Sequence, residues 1–198
     1  MKRIVLFVII ATAFFVAPLT AMSQTVSFES HGQIISWEDD GFIICFTLYA
    51  DNLSGEEWIK RFEKEKIDLN EEVKAIFRSK AFVPTRDTIN VGIIRGDRIS
   101  DPYRKDWHIR KLAANDYCFD TPTLELAALI RYYLSDRVIQ SMGFDWIITM
   151  TEPIAPKYNI VDLLLVANTE NGPRIGVAKA GNDLRWKASS GFAFVWYN

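Results

Sequence analysis

Cysteine and histidine are scarce in this chain, with 2 of each among 198 residues. Because His31 and His108 are the only imidazoles, a zinc site of paired histidines at helical spacing cannot be built, and no metal is expected. There is no phosphate-binding loop, dinucleotide fingerprint or nucleophile elbow, so the sequence implies no cofactor. A net charge of −2 lacks the basic excess of a nucleic-acid binder, and no nucleic acid is expected as a partner. Internal repeats, low-complexity tracts and linkers rich in Pro, Gly or Ser are missing as well. Nothing therefore divides the chain into separate units.

Long apolar runs are missing too, and the clearest short one falls at the start. Lys2 and Arg3 precede an apolar stretch from Ile4 to Val16, whose helix would be about 20 Å long against a hydrocarbon core of roughly 30 Å. Pro18 ends it, and Ala21 and Ser23 supply the small-x-small pattern for a cut before Gln24. That layout is the signature of a secretory signal peptide. Residues 1–23 are expected to be a cleaved leader and 24–198 a single α+β domain, exported from a bacterium and periplasmic or secreted. The alternative is a retained anchor; with cleavage, the leader is the only membrane contact expected.

Export puts Cys45 and Cys118 in an oxidising compartment. A disulfide between them would close a long loop and add about 4 kcal/mol in the chain-entropy model. The alternative is two separate buried thiols, since Cys45 lies inside the apolar run Phe42 to Leu48, where a thiol packs as a small hydrophobe.

What the chain does contain is a sequence of strands, then helices, then strands. Val26 and Phe28 alternate with polar residues, His31-Gly32 reads as a hairpin turn, and Asp39-Asp40-Gly41 turns the chain into Phe42 to Tyr49, a β-meander. Ser54 with Glu57, and Asp68 with Glu71, match the capping box that opens a helix. Thr88 to Arg95 reads as a strand, and Asp101-Pro102 as the start of a helix to about Asn115. Leu124 to Leu134 is apolar nearly all round, interrupted by Glu125 and Arg131, and is expected at the centre of the fold. Gly143 stops the helical region, and Phe144 to Met150, Ile160 to Ala167, Arg174 to Lys179 and Phe192 to Trp196 return to strand patterns. The expected fold is α+β: an antiparallel sheet, made of the N-terminal meander and the C-terminal strands, packed against a central group of helices.

The most promising surface is the helix after Pro102. Arg104, His108 and Lys111 recur at helical spacing on one face, with Arg95 and Arg98 just upstream. Such a stripe suits a phosphate, a sulfated or uronic sugar, or an acidic partner, and a histidine adds charge to it in mildly acid solution. Tyr103 and Trp107 lie one turn apart on the same helix, opposite Ile109 and Leu112. They are either sandwiched in the core or offered to a ligand, and the core is the default expectation. Of the 6 tryptophans, Trp186 is expected to be the most exposed, beside the Gly181-Asn182-Asp183 turn. Cys118 with His108 is the one nucleophile and base that can be paired, with Asp116 or Asp120 to orient the imidazole.

These residues point first to a binding or interaction domain for a glycan, an anionic ligand or a protein partner. A small exported hydrolase acting on cell-wall or glycan material is the rival reading, and a structural or inhibitor-like protein is the third.

Overall fold

The computed structural model describes residues 24–157, 160–170, 172–181 and 184–197. The expected leader lies outside the described residues, as do Asn182 and Asp183 of the expected turn beside Trp186.

The chain opens as the meander that its alternation implies. Strands β1 (Gln24–Ser30), β2 (Gln33–Asp39) and β3 (Ile43–Asp51) pair antiparallel in that order. His31 and Gly32 turn the first hairpin at φ 49° and 76°, both in the left-handed region that a two-residue hairpin demands. The second turn is built by its acids. Asp39 accepts the Gly41 amide, and Asp40 accepts the amides of Phe42 and Ile43, each at 2.8 Å.

Helix α1 (Gly55–Glu65) starts with the capping box that Ser54 and Glu57 promise. The second expected box is different. Asp68 and Leu69 form a short strand, β4 (Asp68–Leu69), and Asn70 caps α2 (Glu71–Phe77) by accepting the Val73 amide at 2.9 Å. Asn70 outcompetes Asp68 because its side chain stands next to the first free amides of the helix. Strand β5 (Arg86–Arg95) is followed by a 3-10 turn at Asp101–Tyr103, and only then by α3 (Asp106–Tyr117). Helices α4 (Glu125–Tyr133) and α5 (Asp136–Ser141) precede β6 (Trp146–Thr149), β7 (Ile154–Lys157), the hairpin β8 (Ile160–Thr169) and β9 (Gly172–Gly181), and β10 (Ser190–Trp196).

The two strand groups join in one sheet, ordered β1-β2-β3-β5-β10-β6-β8-β9-β4, with β7 paired to β8. The fold is α+β, but the sheet is mixed and not purely antiparallel as expected. β10 lies parallel to β6, and β4 parallel to β9. The first exception has a topological cause. The closing strand slots between β5 and β6, which run in opposite directions, so a strand antiparallel to β5 is parallel to β6.

Strand alternation sends adjacent residues to opposite faces, and here each face has its own core. Ile93, Ile147, Leu164 and Ala193 join a cluster with α1, α2, α4 and α5, whereas Ile94, Ile148, Leu163 and Phe192 join one with α3. The helices therefore divide between both faces instead of grouping on one. Leu126 to Ile130 of α4 are fully buried, as the apolar run implies, and so are its two charged interruptions. Glu125 accepts the Trp58 indole N–H at 2.8 Å and the Thr85 amide. Burial holds its carboxyl above the usual range, against these bonds. Arg131 reaches Asp136 at 2.6 Å and the Leu134 carbonyl, tying α4 to α5. No helix of the described residues is long and apolar enough to cross a membrane.

Candidate functional site

Helix α3 does not cover its whole face of the sheet. Ile109 and Ala113 bury its inner side, and two arginines fix it in place. Arg110 donates to Asp106 at 2.9 Å and to the Met150 and Thr151 carbonyls at 2.8 Å. Arg104 donates to the Ile99 carbonyl at 2.7 Å, to the Trp186 carbonyl at 2.9 Å and to Asp101. A cleft of about 300 Å³ remains between the helix, the end of β5 and the start of β3. With α3 fixed by these bonds, the helix wall of the cleft is in place without a ligand.

Its floor is apolar, made by Ile94, Ile99 and Leu112, and its walls are the rings of Phe42, Tyr103 and Tyr117. Phe42 and Tyr103 are 54% and 52% exposed, far more than packing alone would leave. The charged side chains that line the cleft are spread along it, with Asp97 outside the lining and 4.0 Å from Arg98. Near the helix start, His108 lies against the Tyr103 ring at 4.8 Å, and the Arg98 guanidinium stands 6.0 Å from the Phe42 centroid. Near the helix end, Asp116 lines the same cleft, about 12 Å from His108 at the rise of an α-helix. Burial, with Asp40 and Asp116 adding to it, raises the Tyr117 hydroxyl, which therefore stays protonated as a donor.

The expected residues divide accordingly. Tyr103 and His108 reach the cleft. Lys111 is exposed on the helix and does not line it, and Trp107 meets the His108 ring edge at 5.4 Å from the solvent side. At 53% exposure Trp107, and not the half-buried Trp186, is the bare tryptophan; Trp186 packs against Phe192 at 6.2 Å. Trp107 of α3 is thus offered to solvent and is not sandwiched, and Tyr103, equally exposed, does not share its helix but ends the 3-10 turn before it. Arg104 is corrected as well. It precedes α3, so it shares no helical stripe with His108 and Lys111, and its guanidinium is spent on two backbone carbonyls and Asp101.

The cysteines are both free, Cys45 half-buried and Cys118 exposed. Burial, then Asp40 and Glu38, push the Cys45 thiol up to about 11. Cys118 ends α3 in the left-handed conformation at φ 55°, a turn position. Ten residues of helical rise put it about 15 Å from His108, so the nucleophile and base envisaged from the sequence do not meet. After Cys118 the Phe119 ring lies on Gly92, where a Cβ would fall 2.3 Å from it. Gly92 is the slot that admits this ring. Among the described residues no cluster of His, Cys, Asp or Glu can hold a metal ion.

Sequence reasoning missed Phe42, Ser100 and Tyr117 as lining residues. Their signal is weak because Phe42 opens an ordinary apolar strand, and only the return of α3 across the sheet makes it a wall. Comparison with known proteins finds no matching family model, no similar curated protein and no similar solved structure. The geometry of the cleft stands as the guide to function.

Proposed function

We propose that this chain is an exported bacterial binding protein, periplasmic or secreted after loss of its leader, whose cleft takes a ring-bearing anion. An acidic sugar unit is the ligand class that fits best. The observation that carries this reading is the placement of Arg98 and His108 at one end of an aromatic cleft and Asp116 at the other. A carboxylate or sulfate pairs with the guanidinium, the apolar ring face lies against Phe42 or Tyr103, and sugar hydroxyls donate to Asp116. A volume of about 300 Å³ sits at the small end of ligand sites and suits one unit.

The test is calorimetric titration with glucuronic acid and with glucose. Glucuronic acid is expected to bind about tenfold tighter than glucose, and Arg98→Ala to remove that advantage. Equal binding of both sugars, or an advantage that survives Arg98→Ala, contradicts the reading.

A further inference from the structure

On the same sheet face, beyond the cover of α3, lies a second hollow. It measures about 410 Å³ and is formed by the outward residues of β1, β2 and β3, among them Ser36, Glu38, Thr47 and Tyr49, with Trp196 at its border. The two hollows are joined by a row of rings. Tyr117 lines the cleft and stacks on Phe119 at 5.6 Å and 24°; Phe119 stacks on Trp196 at 5.7 Å and 25°, and Trp196 lines the second hollow. The ridge between the sites is thus only two ring spacings wide, and each hollow has one end of the stack in its wall.

Their charges differ. The second hollow carries the carboxylate of Glu38, with the Cys45 thiol kept neutral, and among the described residues no cation lines it. Thr47 donates to Asn90 at 2.9 Å, and the Ser36 hydroxyl shares a bond of 2.6 Å with Ser27; hydroxyls of this kind keep an acceptor or donor for a ligand. Glu38 repels an anion and accepts from hydroxyls. Tyr49 is 44% exposed and offers a ring at the far side.

From this juxtaposition we infer that the protein binds a segment of a glycan chain, an acidic unit in the cleft and a neutral unit in the second hollow, across the ridge of Tyr117, Phe119 and Trp196. The inference rests on the proposed reading of the cleft as the site of the acidic unit. Asp116 fixes the direction: with the acid group at Arg98, the hydroxylated end of the first unit points towards Tyr117 and the ridge. Linking the two units makes the second contact intramolecular, so a chain gains affinity over its separate parts.

The probes are glucuronic acid, a hyaluronan tetrasaccharide, which alternates glucuronic acid with a neutral amino sugar, and a tetramer of galacturonic acid, which is acidic throughout. The hyaluronan tetrasaccharide is expected to bind the purified protein at least about tenfold tighter than glucuronic acid. The all-acid tetramer is expected to gain less than about threefold, and Glu38→Gln to raise its gain, since only that variant removes the repelling charge. Tyr49→Ala, at an exposed position, is expected to return the hyaluronan tetrasaccharide to the affinity of glucuronic acid and leave glucuronic acid unchanged. If glucuronic acid binds and the hyaluronan tetrasaccharide gains nothing, or Tyr49→Ala leaves the gain intact, the second unit is refuted and the cleft stands. If glucuronic acid does not bind, the cleft reading and the inference fall together.

Discussion

One set of strands makes both faces of the sheet, and the two faces treat charge in opposite ways. On the face shared with α1, α2, α4 and α5, Glu125 and Arg131 are dry, and each is bonded to fixed partners across helices and loops. On the face shared with α3, Arg98 and Asp116 are exposed beside a cleft. Burying a charge is costly unless it is paired, so a dry ion is committed to the fold. Arg98 faces only its exposed neighbour Asp97, at 4.0 Å, and an exposed pair of that kind is weak enough to give way to a ligand. The comparison separates groups that hold this protein together from groups free to meet a ligand, and Arg104 and Lys111, close in sequence, fall on opposite sides of it.

The largest effect is expected on the dry face. Glu125→Ala leaves the Trp58 indole and the Thr85 amide without their acceptor and should cost about 3 kcal/mol in denaturant unfolding; a loss under about 1 kcal/mol would mean that water or another group replaces the carboxylate. The same carboxyl sets a pH dependence. Its folded value lies above the ordinary 4.5, so the folded state holds the proton more tightly, and the stability this contributes is present below 4.5 and lost as pH rises through the folded value. Unfolding free energies measured from pH 4 upward should therefore fall in the wild type relative to Glu125→Gln. Parallel curves would contradict the burial of that group.

A smaller difference should divide Arg104 from Lys111. Arg104→Ala strands the carbonyls of Ile99 and Trp186 and should destabilise by about 2 kcal/mol, whereas Lys111→Ala should stay within about 0.5 kcal/mol. Similar thermal shifts for the two would erase the distinction between committed and available cations. The smallest effect is a gain. Cys118 adopts a left-handed conformation that glycine takes without strain, so Cys118→Gly should stabilise the protein by about 1 kcal/mol with ligand binding unchanged. Loss of stability there would point to a packing role for the thiol.

Local chemistry made much of the fold legible. The His31-Gly32 turn, the Ser54 capping box, the apolar α4 and the Gly143 stop at φ 88° all stand where the sequence puts them. Elements set by distant partners were not legible. β4 is two residues that become a strand only because β9 lies beside them, and the split of Ile93 and Ile94 between two cores depends on α3 crossing one face. The same holds at the site. Tyr103 and His108 could be picked out because both flank one helix start, but Arg104 looked like their companion until the 3-10 turn at Asp101–Tyr103 displaced it from the helix. Phe42 and Tyr117 come from segments far apart in sequence, and no spacing rule links them.

The central claim is that the cleft between α3 and the sheet is where this protein meets its ligand. Amide shift mapping of isotopically labelled protein during titration with glucuronic acid tests it most directly. Phe42, Arg98 to Tyr103 and His108 to Tyr117 should respond together while α1, α2 and α4 stay still. Shifts confined to the helices of the dry face, or none at saturating sugar, would contradict it.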